Sequence, residues 1–189
     1  SAFSHCSSLS DINFPEGLER IGISAFFGCS SLNSIRIPRD MVYIPGDAFA
    51  YSGLVNIEVS AENEIYTVYD GCLYNKECTE IILAPKNIDS IILPEGLMNI
   101  GDSAFLGCND LSSIEIPDSV TSIGASAFID CGNLSNIVLP DSVTSIGSCA
   151  FQSCSNLSSI EIPDYMVEIG AYAFSYCSNL VSIVIPEGV

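Results

Sequence analysis

Short bursts of apolar, variable, apolar residues return along the chain, as in Ile35-Arg36-Ile37, Ile57-Glu58-Val59, Ile114-Glu115-Ile116, Ile137-Val138-Leu139 and Ile160-Glu161-Ile162. That alternation is the period-2 pattern of a strand with one buried face. In the unit that starts at Leu111, Pro117 closes the strand because it has no N–H to give to a ladder. Pro117-Asp118 then suits the centre of a type I turn. Val120-Thr121-Ser122-Ile123 brings a second apolar pair inward as a short strand on another side of the coil, and Gly124 follows. Ala125 to Cys131 reads as a short helical turn that directs Ala127, Phe128 and Cys131 to the core, and Leu134 opens the next strand.

The whole unit repeats. Ala-Phe falls at Ala2-Phe3, Ala25-Phe26 and Ala48-Phe49, then at Ala104-Phe105, Ala127-Phe128, Ala150-Phe151 and Ala173-Phe174. A fixed period of this size is the signature of a solenoid. Each unit is too short to enclose a core, so it buries its apolar face against its neighbours, and any function belongs to the repeated surface rather than to a pocket. Leu, Ile, Ile, Val, Ile, Ala, Phe and Cys become columns through the stack, and each buried Phe or Ile is worth roughly 1.5–3 kcal/mol. A glycine column (Gly22, Gly101, Gly124, Gly147, Gly170) carries Pro45 in one unit. Proline holds φ near about −65°, so close backbone packing explains these glycines better than a need for positive φ.

One segment breaks the rhythm. Between Ile57-Glu58-Val59 and Ile91-Ile92-Leu93-Pro94 there is no Ala-Phe, and Tyr66, Tyr69, Asp70-Gly71, Tyr74 and Asn75-Lys76 occupy the interval. It reads as a turn-rich unit with a hairpin built from Cys72-Leu73-Tyr74 and Ile81-Ile82-Leu83. Such a unit is either a binding feature on one side of the stack or a variant coil that only bends it. No shift in composition divides the chain, so the expectation is one domain over residues 1–189 with a variant unit at about 60–90. Both ends fall inside a repeat, at Ser1-Ala2-Phe3 and Pro186-Glu187-Gly188-Val189, and read as cut from a longer protein whose signal and anchor lie elsewhere.

Ile123-Gly124-x-x-Ala127-Phe128-x-x-Cys131-x-x-Leu134-x-x-Ile137-x-Leu139-Pro140 resembles the repeat of the BspA-like leucine-rich-repeat proteins, over nearly the whole chain. Asp70-Gly71-Cys72-Leu73-Tyr74-Asn75-Lys76 is similar to a variant unit of that family. The resemblance implies an α/β fold: a right-handed solenoid with a parallel β-sheet on one face and short strands and helical turns on the others. It also implies a mostly bacterial, secreted or cell-surface protein associated with adhesion to host proteins, matrix or other microbes, and it carries no catalytic set. At Ser52, Gly53 and Leu54 the Cys is absent and one residue is missing, which puts the stacking of that coil in question.

Composition narrows the function classes. The net charge is −18, and all five cations (Arg20, Arg36, Arg39, Lys76, Lys86) lie in the first half. A phosphate-binding surface needs the opposite sign, so nucleic acid and anionic membranes are poor partners, and acidity of this kind serves solubility. No apolar run approaches the roughly 18 residues of a membrane helix, so this segment does not insert directly into a membrane. Of nine cysteines, Cys6, Cys29, Cys108, Cys131, Cys154 and Cys177 share one phase of the repeat. Stacked coils would set them roughly 4.8 Å apart, farther than disulfide Cβ atoms sit, so they read as packing residues with free thiols. Cys72, Cys78 and Cys149 are off phase, and the first two are close enough in sequence either to pair across a turn or to stay free.

Catalysis finds little support. The single histidine, His5, has no evident partner, and Walker, G-x-G-x-x-G and H-E-x-x-H motifs are missing from the sequence. Glu95, Asp118, Asp141, Asp164 and Glu187 form a column after the repeat proline. Such a row can hold Ca²⁺ weakly, yet the turn preference of Asp after Pro accounts for it without metal, and no cofactor is called for. The outward strand positions Asn13, Arg36, Glu58, Ile92, Glu115, Val138, Glu161 and Val184 vary while core positions hardly do. They are the candidate binding surface, with Ile92, Val138 and Val184 as apolar contacts. The expected function is a noncatalytic module that engages an extracellular or host protein, or a glycan, through this face. The alternative is a structural spacer that displays another domain and has no ligand of its own.

Overall fold

The computed structural model describes residues 1–189 and shows a β-solenoid of about six turns. In chain order the strands are β1 (Ser34–Ile37), β2 (Asn56–Val59), β3 (Tyr66–Tyr69), β4 (Cys72–Asn75), β5 (Glu80–Leu83), β6 (Asn99–Ile100), β7 (Ser113–Glu115), β8 (Ser122–Ile123), β9 (Asn136–Val138), β10 (Ser145–Ile146) and β11 (Glu168–Ile169). The apolar–variable–apolar bursts form one face, as parallel pairs β1–β2 and β7–β9 with an isolated bridge between Ser159 and Ser182. From Asn99 onward the second apolar pair of each unit does form a short strand on another side, whereas the first units make only the isolated bridge Arg20–Tyr43 there. Those four strands, with β3, β4 and β5 of the irregular segment, build a seven-stranded sheet in the order β11-β10-β8-β6-β5-β4-β3. This second sheet is the continuous one, whereas the first is in two pieces separated by the irregular segment around Ile92.

The expected helical turns are not helices. In Ala125–Cys131 the N–H groups of Ser126, Phe128 and Asp130 donate to Ser148, Ala150 and Gln152 of the next coil, at 2.8, 2.7 and 2.9 Å. Between them, the N–H groups of Ile129 and Cys131 donate three residues back, to Ser126 and Phe128. A helix needs every N–H for its own turn, and here every second one serves the neighbouring coil. Left-handed residues four apart, Ser126 (φ 59°) and Asp130 (φ 56°), turn the chain so that this alternation can occur. The same pair of positions is left-handed at Ser24 and Gly28, Ser103 and Gly107, Cys149 and Ser153, and Tyr172 and Tyr176. The exception is a short 3₁₀ helix at Gly46–Phe49, in the unit where Pro45 (φ −73°) replaces the column glycine. None of the other column glycines has positive φ; Gly101, Gly124, Gly147 and Gly170 serve close packing, whereas a Cβ on Gly22 would meet nothing. A Cβ on Gly147 would stand 2.6 Å from the carbonyl carbon of Gly124, and one on Gly170 would stand 2.6 Å from that of Gly147.

Aromatic rings stack in register along the core. Phe105, Phe128, Phe151 and Phe174 lie face to face with centroids 4.9, 5.2 and 5.5 Å apart, and Phe3, Phe26 and Phe49 form a separate stack at 5.2 Å spacings. The cysteine column runs beside them as free thiols, and every member after Cys6 is tied to the coil before it. The Sγ–H groups of Cys29, Cys131, Cys154 and Cys177 donate to the carbonyls of Phe3, Phe105, Phe128 and Phe151, at 3.1 to 3.2 Å. Burial pushes the Cys108 and Cys154 thiols up to about 12. Below pH about 9 these thiols are protonated whether the chain is folded or not. Between about 9 and 12 only the unfolded chain ionises them, so stability should fall as pH rises through that window. A thiol reagent at neutral pH should label exposed Cys6 readily. It should reach the buried set (Cys29, Cys72, Cys108, Cys131, Cys154, Cys177) only in denaturant, and rapid native labelling of that set would contradict the packing.

The interruption is a three-stranded meander rather than a two-stranded hairpin. β3 pairs antiparallel with β4 around Asp70 (φ 45°) and Gly71 (φ 77°), a turn with both central residues left-handed, as two-residue hairpins favour. β4 then pairs with β5, and β5 joins β6 in parallel register, Glu80 opposite Asn99 and Ile81 opposite Ile100. The meander thus extends the second sheet. β4 is buried on both sides: Cys72 and Tyr74 enter a core of 33 residues, and Leu73 enters another of 16, so the strand divides the interior in two. Two further ties hold the division. Asn63, only 1% exposed, donates through Nδ2 to the carbonyls of Pro38 (2.8 Å), Arg39 (3.2 Å) and Met41 (3.0 Å). Its Oδ1 accepts from the N–H groups of Ile65 (2.9 Å) and Tyr66 (2.7 Å). Tyr51 covers Gly107 and donates its hydroxyl to Asp130, 79 residues away, and burial and this bond raise its pKa. At Ser52–Leu54 stacking continues despite the missing residue. Ser52 and Leu54 are buried in the column, and the Gly53 N–H donates to the Cys29 carbonyl at 3.2 Å.

Candidate binding face

Each candidate position sits between two apolar neighbours whose burial forces the middle side chain out, except Val184 in the last coil, where Ile185 is itself exposed. Asn13, Arg36, Glu58, Ile92, Glu115, Val138, Glu161 and Val184 are all exposed and follow one another coil by coil. Arg36 lies directly opposite Glu58, and Glu115 opposite Val138, in the two paired pieces of the face. The Ser159–Ser182 bridge puts Glu161 and Val184 in the same register two residues on. The apolar members are as open as side chains can be on such a sheet: Ile92 is 72% exposed, Val138 67% and Val184 79%. Ile92 lies outside any strand, and its N–H donates to the Asp70 carboxylate at 2.9 Å.

Two adjoining hollows of about 560 and 460 Å³ mark the break in the face and share Glu115, Ile116 and Asp118. The first also includes Ile92 and Glu95, and the second Val138, so the apolar row and the acidic turn column border the same furrow. The charge pattern differs along the face. Arg36 neighbours Glu58, and Arg39 lies within 4 Å of Glu16, Asp40 and Glu62, exposed pairs of small energetic worth. Beyond Lys86 there are twelve carboxylates and no cation. In the turn column no three carboxylate, histidine or cysteine side chains converge to hold an ion.

A larger cleft of about 690 Å³ opens beside the meander, lined by Tyr43, Asp47, Glu80, Asp102 and Ser122 among others. Two of its carboxylates are occupied: Asp47 accepts from Ser24 Oγ at 2.6 Å, and Asp102 from the Ala125 N–H at 2.7 Å. Partial burial and the neighbouring Asp102 charge raise the Glu80 pKa. Sequence reasoning gave no hint of this cleft, because it arises where β5 meets β6 across the interruption. His5 is exposed and packs edge-on against Phe27, 5.4 Å between ring centroids.

Parallel coils of this length, with Leu and Ile columns and an exposed strand face, define a leucine-rich-repeat solenoid, a generic protein-interaction fold. The chain belongs to the BspA type leucine rich repeat family, whose profile matches residues 1–91 and 84–189 in 6 copies. Among solved structures it is similar to a leucine rich cell surface protein of Faecalibacterium prausnitzii A2-165, with 30% identity and a TM-score of 0.83, over 100% of this chain and 56% of that one. A leucine-rich repeat protein of Eubacterium ventriosum matches at 26% identity and a TM-score of 0.77, covering 93% and 54%. The pneumococcal vaccine antigen PcpA, at 24% identity and a TM-score of 0.83 over 93% and 50%, shares the fold. The chain therefore spans about half the length of these structures. No sequence among curated proteins matches it significantly. No helix is long and apolar enough to cross a membrane.

Proposed function

We propose that the chain is a noncatalytic binding module of a secreted or cell-surface protein, acting in adhesion. It works as one leucine-rich-repeat domain over residues 1–189, with the variant unit at about 60–90. It engages an extracellular or host protein, or a glycan, through Asn13, Arg36, Glu58, Ile92, Glu115, Val138, Glu161 and Val184. The observation that carries this reading is the contrast between a uniform buried frame and a row of exposed, chemically varied positions that includes three open apolar side chains. A cell-surface relative with the same fold supports the setting.

The test is adhesion of beads coated with the chain to cell monolayers and to immobilised matrix proteins. Glu115→Ser, Val138→Ser and Glu161→Ser together should reduce adhesion about tenfold or more, because central contacts dominate an interface. The far-UV circular dichroism and melting midpoint should stay within a few degrees of the parent's, since all three sites are exposed. Equal adhesion of the parent and the triple variant would favour a spacer that displays another domain.

A further inference from the structure

The face offers a partner a specific pattern. From Ile92 to Val184 the outward column reads Ile, Glu, Val, Glu, Val: apolar and acidic side chains alternate coil by coil. The rings stacked inside repeat every 4.9 to 5.5 Å, and the paired parallel strands of the face sit about 4.7 to 4.9 Å apart. An α-helix climbs about 5.4 Å per turn, so a helix laid along the solenoid axis presents one ridge residue to each coil and keeps step over the four intervals. An extended strand places same-face residues about 6.6 to 6.8 Å apart and loses step with successive coils. The side chains flanking this column on its C-terminal side are again acidic, at Glu95, Asp118, Asp141 and Asp164. The opposite flank, Ser113, Asn136 and Ser159, is polar and uncharged. No lysine, arginine or histidine lies anywhere beyond Lys86 to neutralise this part of the face.

We infer that this stretch of the face docks a basic amphipathic helix of a partner protein, lying parallel to the solenoid axis. This rests on the binding-face reading above and specifies the partner. Lysine or arginine at i and i+7 of the helix meets Glu115 and Glu161, and apolar side chains about half a heptad away cover Ile92, Val138 and Val184. Basic residues on one shoulder face the acidic turn column. The apolar contacts supply burial, and the carboxylates set register and speed encounter. An acidic segment is repelled by this pattern.

The test uses a fluorescein-labelled helix-forming peptide with lysine and leucine on this ridge, and a scrambled peptide of equal composition, titrated by anisotropy. The chain should bind the patterned peptide at least about tenfold more tightly than the scrambled one, and more weakly as salt rises. Glu115→Gln with Glu161→Gln should weaken the patterned peptide about three- to tenfold, as loss of two exposed ion pairs implies. Glu168→Gln with Asp110→Asn removes equal charge away from the column and should change binding less than twofold. An equal loss in both pairs of variants would mean general attraction to an acidic protein and would overturn the proposal. If both peptides bind alike and both are weakened by the column variants, the face remains a binding site and the helical partner is wrong. If no peptide responds to the column variants while bead adhesion responds to the triple variant, the partner is likewise wrong and the face reading stands. If neither assay responds, both readings fail.

Discussion

Phe128→Ala should lower the unfolding free energy by about 3–5 kcal/mol, and Phe128→Asp should leave the chain without a cooperative urea transition. The ring is fully buried and stacked 4.9 Å from Phe105 and 5.2 Å from Phe151, so truncation opens a void that touches three coils at once. The backbone cannot close it, because the Phe128 N–H is fixed to the Ala150 carbonyl at 2.7 Å. Phe3 occupies the same column in the first coil but is 43% exposed and stacks only on Phe26. Phe3→Ala should therefore cost only about 1 kcal/mol or less by the area it uncovers. Urea unfolding of both variants, followed by far-UV circular dichroism, checks the contrast. Equal losses would show that the column does not transmit packing from coil to coil.

Asn63→Leu should destabilise by about 3 kcal/mol or more, the second large effect. The substitution keeps the number and branching of side-chain heavy atoms but strips partners from three carbonyls (Pro38, Arg39, Met41) and two N–H groups (Ile65, Tyr66). A buried group left without a partner costs about 1–3 kcal/mol, and water entering the loosened turn recovers part of that. The loss should be local before it is global. Amide exchange at Ile65 and Tyr66 should accelerate far more than at Phe128. If Asn63→Leu unfolds at the parent's urea midpoint, the network is not what joins the turn after β1 to the meander.

The sequence made the frame legible because every column repeats: the strand pair of each unit, the phenylalanine ladder and the thiol packing could each be read several times over. Position along the chain was enough to place Asn13 through Val184 on the outside, since a residue between two buried isoleucines has only one way to point. The tight turns were not legible as such. Ala-x-Ala-Phe looks helical when read locally, and the competing demand for its N–H groups comes from carbonyls of the next coil 22 residues on, as in Phe128 to Ala150. Left-handed Ser126, Cys149 and Tyr172 carry no glycine to announce them. Cys72-Leu73-Tyr74 and Ile81-Ile82-Leu83 read as strands from their apolar runs, whereas Tyr66–Tyr69, with half-buried Thr67 and Val68 between its tyrosines, carries no such run. Asn63 and the Tyr51–Asp130 tie were beyond local reading, since each is defined only by groups brought together by folding.

A strand buried on both faces also sets how such a protein can change length. β4 separates a core of 33 residues from one of 16, and past the Tyr51–Asp130 tie the remaining coils form a block whose members meet only coils like themselves. Duplicating or deleting a 23-residue unit within that block alters neither the meander nor the joint at Asn63. Reach can then be tuned in steps of about 5 Å per coil while the junction keeps one fixed design.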